Sequence, residues 1–204
     1  LRLEDVVSVL GAGTGIQAVH FEDRLPPEET RGRLGGKVLV PTGQHIETLQ
    51  AARRAADGHG VPSLIMARTA ADSATRLASD ADERDHEFLT GERTAEGYYR
   101  VRPGLYACAT RGLAFAPYAD LLWLETSTPD LAAARAFADI IHSQYPDQLL
   151  AYNWSPSSDW PARLDDGPVT RFQRELAALG YRFQCVTPAR ARARDEPVLE
   201  LVRG

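Results

Sequence analysis

Cysteine is scarce in this chain: Cys108 and Cys185 are the only two in 204 residues. So few, so far apart, build neither a disulfide framework nor a metal knuckle, and both are expected to be reduced and buried. Long apolar runs are missing too, none approaching the roughly 18 residues a membrane-spanning helix needs. Nor is positive charge in excess. Lys and Arg number 23 against 28 Asp and Glu, a net charge of -5. That argues against nucleic-acid binding, where affinity comes largely from neutralising phosphates with a basic surface. The one basic run, Arg190, Arg192 and Arg194 alternating with alanine, reads as a solvated tail. Leu1-Arg2-Leu3-Glu4-Asp5 is no basic-then-apolar leader, so the expected location is cytoplasmic. The lack of an initial methionine points to a piece of something longer. What is present, 44% apolar and 25% charged residues, is an ordinary globular composition, long enough for one sizeable core.

Hydrophobic periodicity divides the chain. Leu3, Val6, Val7 and Leu10 recur at helical spacing over residues 1–12. Gly11, Gly13 and Gly15 then follow a helix and open a strand, the reverse of a dinucleotide-binding fingerprint. Ile16 to Phe21 is a β-rich run that delivers the acid pair Glu22-Asp23. Thr42 is expected to cap a helix whose buried stripe is Ile46, Leu49, Ala52 and Ala56. Val61 to Ala67 reads as a strand ending in Arg68, and Ala71 to Ala78 as a weak helix. Residues 80–105 are polar without clear period and are expected to form a long loop, a lid or a docking surface. Leu105 to Phe115 reads as a helix, and Ala119 to Leu124 as a strand ending in Glu125. Thr128 is expected to start a helix with Leu131, Ala134, Phe137, Ala138 and Ile141 on one face. Gln148 to Tyr152 is a strand ending in Asn153. Val169, Phe172, Leu176 and Leu179 mark a helix closed by Gly180, and Tyr181 to Val186 is a strand ending at Thr187.

Such βα repetition implies a parallel sheet, open to two architectures, a doubly wound sheet or part of a (β/α)8 barrel. Every strand ends in a polar residue: Glu22, Arg68, Glu125, Asn153 and Thr187. In a barrel those ends converge on one rim, whereas an open sheet needs polar groups only at its switch point. The expected fold is therefore α/β, a partial (β/α)8 TIM-type barrel of about five β/α units, since a full barrel takes about 250 residues. Each polar end taken alone is an ordinary strand cap. Together they suit a small polycarboxylic acid: Arg68 offers a two-pronged fork to a carboxylate, and Asn153, Ser155, Ser157 and Thr187 supply neutral donors. Glu22, with Asp23 adjacent, could hold a divalent cation, which prefers oxygen ligands and water.

Specific motifs sharpen this. His20-Phe21-Glu22-Asp23, Leu34-Gly35-Gly36-Lys37-Val38, Ile65-Met66-Ala67-Arg68-Thr69, Asp82-Glu83-Arg84-Asp85, Thr90-Gly91-Glu92-Arg93-Thr94, Trp123-Leu124-Glu125-Thr126 and Ala151-Tyr152-Asn153-Trp154-Ser155-Pro156-Ser157 occur in that order. The pattern resembles the isocitrate lyases over residues 1 to about 187 and leaves a C-terminal tail, residues 188–204, unmatched. The resemblance implies the barrel of phosphoenolpyruvate mutase and 2-methylisocitrate lyase, a homotetramer with exchanged helices, Mg²⁺ (or Mn²⁺), and cleavage of isocitrate to glyoxylate and succinate. It implies catalytic positions at His20, Glu22, Glu125 and Arg31, and substrate contacts at Gly32, Arg33, Arg68, Asn153, Ser155, Ser157 and Thr187. Glu22 falls on a carboxylate of the hydrated metal site.

The departures are specific. The family's cysteine, which protonates the succinate carbanion, falls on Arg31; its histidine falls on Arg33, and its aspartate after Ala-Arg-Thr on Ala70. Arginine, with a pKa above about 12, cannot cycle a proton near neutrality. The resemblance places the other metal carboxylates and a Ser-Gly-Trp substrate segment upstream of residue 1. Three readings stand: an isocitrate lyase by descent, a diverged non-catalytic chain that binds a dicarboxylate or a partner, and a lyase for 2-methylisocitrate.

Overall fold

Alternating side chains and short polar ends shape the main sheet. The computed structural model describes residues 18–26, 36–126, 129–154 and 166–186. In chain order these form β1 (Ala18–Glu22), β2 (Val38–Leu39), α1 (Thr42–Gly58), β3 (Leu64–Thr69), β4 (Arg76–Leu77), a 3-10 turn (Glu83–Phe88), β5 (Leu89–Arg93) and β6 (Tyr99–Val101). There follow α2 (Leu105–Phe115), β7 (Leu121–Leu124), α3 (Leu131–Gln144), β8 (Leu149–Trp154), α4 (Asp166–Ala178) and β9 (Tyr181–Val186). The larger sheet runs β1-β3-β7-β8-β9, every pair parallel. Its spatial order is its chain order. A doubly wound sheet would reverse direction at a switch point; an unreversed run is the winding of a barrel wall, so the fold is a partial barrel-type α/β arrangement. No helix among the described residues is long and apolar enough to cross a membrane.

The two faces of this sheet differ. Ile65, Ala67, Leu122, Leu124, Leu150, Tyr152 and Tyr181 face the helices and pack with Leu49, Ala52, Phe115, Phe137, Ala138, Ile141 and Leu176 in the main core. Tyr181 is held there by its hydroxyl, which donates to the Ala134 carbonyl at 2.8 Å. α3 starts at Asp130, whose carboxylate accepts from Ala133 N at 2.9 Å, an N-cap that satisfies an orphan amide. Thr128, the expected start, lies outside the described residues. α2 crosses α3 at Gly112, where a Cβ would meet Ile141 and Phe137 carbons at 3.0–3.2 Å. On the opposite face Met66, Leu121, Trp123 and Ala151 form a separate, smaller cluster.

Residues 80–105 are not a structureless loop, and Ala71 to Ala78 is not a helix. Four short strands build a second sheet of order β2-β4-β6-β5, parallel between β2 and β4 and antiparallel elsewhere. Strands of two to five residues are too short to show a period, which is why the segment reads as aperiodic. Two of its acids, Asp82 and Asp85, bind the start of α1. Asp85, 2% exposed, accepts from Thr42 N (2.8 Å) and Thr42 Oγ1 (2.7 Å), so the anion sits at the start of α1, where the helix dipole favours it. Asp82 accepts from Gly43 N at 2.6 Å and from the Arg84 guanidinium. Thr42 is thus the first helical residue after Pro41 and not itself the cap: its hydroxyl donates to Asp85.

Candidate functional site

Glu22, Arg68 and Trp123 stand side by side in register at the carboxyl ends of β1, β3 and β7. Ala151 continues the row on β8, and Asn153, two residues on, falls on the same face by alternation. Arg68 is the hub. Its Nη2 lies 2.7 Å from Glu125 Oε1, its Nε lies 3.9 Å from Glu22 Oε2, and its guanidinium stacks 4.9 Å above the Trp123 ring. His20 packs against the other side of the cluster, its ring centroid 4.9 Å from that of Trp123. Two further cations close the ring: Arg24 Nε is 2.6 Å from Glu22 Oε1 and Lys37 Nζ is 2.7 Å from Glu125 Oε2.

The electrostatics follow from this geometry. Burial raises Glu22 above the usual carboxylate range, opposed by Arg68 and reinforced by the like charge of Glu125. Burial pushes Glu125 the same way, but Lys37 and Arg68 more than offset it and hold that carboxyl below its ordinary value. Desolvation and then the Arg68 charge lower His20, favouring its neutral ring. Three cations face two carboxylates, a surplus of one positive charge. Donors are also spare: Arg68 Nε and Trp123 Nε1 are buried with no hydrogen-bond partner among the described residues. Such groups are uncommon in a finished core and suit a site that receives an acceptor.

The acid pair is split. Neighbouring residues of a strand point to opposite faces, and Asp23 turns to the side of the helices, fully buried. There it accepts from Thr69 Oγ1 (2.8 Å), Ala70 N (2.8 Å) and Arg111 Nη1 (2.9 Å). It is not beside Glu22 and is not free to share a cation with it. Among the described residues no group of three His, Cys, Asp or Glu side chains could hold a metal ion. Glu22 alone, already paired with Arg24, is too little, so these residues by themselves do not fit the divalent ion.

Of the expected positions, the structure brings His20, Glu22, Arg68 and Glu125 together and sets Asn153 on the same face. Arg31, Gly32, Arg33, Ser155, Ser157 and Thr187 lie outside the described residues. Lys37, Arg24 and Trp123 join the site without having been singled out by sequence. For Lys37 the available signals were its place in the Leu34-Gly35-Gly36-Lys37-Val38 motif and its position just before the buried run Val38-Leu39-Val40. Cys108 cannot stand in for the family's thiol: it is buried in α2 among the helices, and burial pushes its pKa well above the ordinary range.

In a barrel the carboxyl ends of the strands are the face on which active sites are built, and the arginine-centred cluster stands there. The chain belongs to the isocitrate lyase family, whose sequence model matches residues 7–93 and 90–194. It is 52% identical over 190 residues to isocitrate lyase of Mycobacterium tuberculosis (strain ATCC 25618 / H37Rv), covering 93% of this chain and 44% of that protein. It is 55% identical over 175 residues to isocitrate lyase of Salmonella typhimurium, covering 86% of this chain and 40% of that one. The chain therefore spans less than half the length of these relatives. Among solved structures it resembles 2,3-dimethylmalate lyase (TM-score 0.58, 18% identity, 93% of this chain and 49% of that one). It also resembles oxaloacetate acetylhydrolase (TM-score 0.51, 18% identity, 83% and 43%). At that identity the likeness is one of fold.

Proposed function

We propose that this chain carries part of an isocitrate-lyase-type site: it binds a small polycarboxylic acid and, by itself, does not turn it over. The observation that carries the reading is Arg68, fixed between Glu22 and Glu125 with Lys37 and Arg24 adding positive charge. Arg68 holds the carboxylate on the glyoxylate side. Asn153, Ser155, Ser157 and Thr187 receive the succinate carboxylates, Gly32 and Arg33 contribute from the segment ahead of Lys37, and His20 and Glu125 complete the polar wall. In the cleavage a base takes the substrate hydroxyl proton, the carbon–carbon bond breaks as the aldehyde of glyoxylate forms, and the electron pair left on succinate takes up a proton. Arg31 occupies the position of the family's proton donor and cannot release a proton near neutrality. The resemblance also implies Mg²⁺ or Mn²⁺, but the described residues offer one candidate ligand, Glu22, and no step here is assigned to the ion.

The test is calorimetric titration of the chain with isocitrate, alongside a coupled assay for glyoxylate in the presence of Mg²⁺. Binding without glyoxylate formation is expected, and Arg31→Cys is expected not to restore cleavage. Saturable glyoxylate production by the unmodified chain overturns the loss of turnover. Failure to bind isocitrate while folded overturns the reading.

A further inference from the structure

Glu125 lies between two cations that come from different parts of the fold. Its Oε1 is 2.7 Å from Arg68 Nη2 at the end of β3, and its Oε2 is 2.7 Å from Nζ of Lys37, the residue ahead of β2. Two cations spaced to meet the two oxygens of one carboxylate define a receptor for a carboxylate, whichever molecule carries it. Glu125 is the first residue beyond β7, so its side chain can rotate away without breaking the sheet ladder. Arg68 Nε, buried, 3.9 Å from Glu22 Oε2 and with no hydrogen-bond partner among the described residues, leaves the receptor one donor in reserve.

We propose that Lys37 is a substrate-binding residue: with Arg68 it forms a clamp for one carboxylate of a small polycarboxylic acid, and Glu125 occupies that clamp until the acid displaces it. The proposal rests on the polycarboxylate reading above and adds to it the second arm and the exchange. Glu125 then competes with the ligand. Neutralising it frees both cations, whereas removing Lys37 takes away half the receptor.

Malonate, which carries carboxylates and cannot undergo the cleavage, is the probe. The full chain and the variants Lys37→Met, Glu125→Gln and Lys37→Met/Glu125→Gln are titrated calorimetrically at low ionic strength, each checked by its thermal melt. Glu125→Gln is expected to bind malonate about tenfold more tightly and Lys37→Met about tenfold more weakly, since charge-assisted hydrogen bonds are about twice as strong as neutral ones. The double variant is expected to bind no more tightly than the unmodified chain. Equal or weaker binding by a folded Glu125→Gln, or unchanged binding by Lys37→Met, overturns the clamp. If either variant fails to fold, the native sequence ¹³C-methylated at Lys37, the only lysine of the chain, decides: a Lys37 resonance that moves along the malonate isotherm supports the clamp, and one that stays put overturns it. Isocitrate titrated in parallel separates the two ideas. Isocitrate binding with no malonate effect of either substitution sinks the clamp alone, and a malonate response without isocitrate binding sinks the lyase reading alone. No binding of either acid sinks both.

Discussion

His45 shows how burial turns one residue into a pH-dependent element of stability. It sits in α1, 1% exposed, edge-on to Phe115 at 4.7 Å, and its Nε2 has no hydrogen-bond partner among the described residues. Burial, helped by the Arg111 charge and opposed by Asp23, lowers its pKa from 6.5 to about 4. Between those values the unfolded chain binds the proton and the folded one does not, so stability is present above pH 6.5 and falls as the pH drops toward 4. A shift of that size corresponds to about 3 kcal/mol. His20 acts in the same direction and Glu22 in the opposite one, so the informative quantity is a difference between proteins. His45→Leu is expected to remove about 3 kcal/mol of the stability change between pH 7 and pH 4, measured by urea unfolding at several pH values; parallel curves for the two proteins would contradict it. None of this was legible in the sequence, where His45 is a polar residue one place before the helical stripe. The neighbourhood of Glu22, Arg68 and Glu125 was legible because strand ends are visible as polar interruptions of apolar runs. Asp23 was misjudged because adjacency in sequence is opposition in a strand.

At the scale of elements, one buried arginine joins pieces that sequence keeps far apart. Arg111 of α2, 2% exposed, donates to Asp23 beyond β1, to the Val40 carbonyl beyond β2 (2.6 Å) and to Asp85 in the 3-10 turn (3.0 Å). Asp23 in turn binds the end of β3 through Thr69 and Ala70, and Asp85 binds the start of α1. Glu22, Lys37 and Arg68 each lie within three residues of a group in this network, so it fixes the strand ends on which the site stands. Removing the cation leaves two carboxylates buried without their counter-charge, a change that costs about 3–5 kcal/mol. Arg111→Met is therefore expected to lose about that much in urea unfolding at pH 7, and a loss under 1 kcal/mol would show the network to be incidental. The helices and the main sheet could be read from the sequence because each offers a periodic apolar stripe. The second sheet could not, because its strands of two to five residues show no period and the acids that tie the adjoining 3-10 turn to α1, Asp82 and Asp85, find their partners about 40 positions away.

At the scale of the whole molecule, the described residues leave part of the sheet face opposite the helices exposed, although Met66, Leu121, Trp123 and Ala151 on that face are buried. Leu64, Leu149 and Phe183 are 41–43% exposed. The strand registers put them on the sheet face opposite the helices, Leu149 level with Leu121 and Phe183 with Ala151. Among the described residues β1 pairs only with β3 and β9 only with β8, so both edges of a parallel sheet also offer unmatched backbone groups. Parallel sheets are ordinarily covered on both faces, and open edges template association. The helical face is already sealed by Leu122, Leu124, Leu150 and Tyr152, so association through the other face need not disturb the core. The chain on its own is expected to bind a hydrophobic dye and to associate with rising concentration in sedimentation experiments. Replacing Leu64, Leu149 and Phe183 together by glutamine is expected to reduce both effects and leave the unfolding midpoint nearly unchanged, because the side chains exchanged are partly solvated already. A midpoint that falls steeply, with association unaltered, would mean that these residues serve the core of the single chain and that contact is made along the strand edges instead.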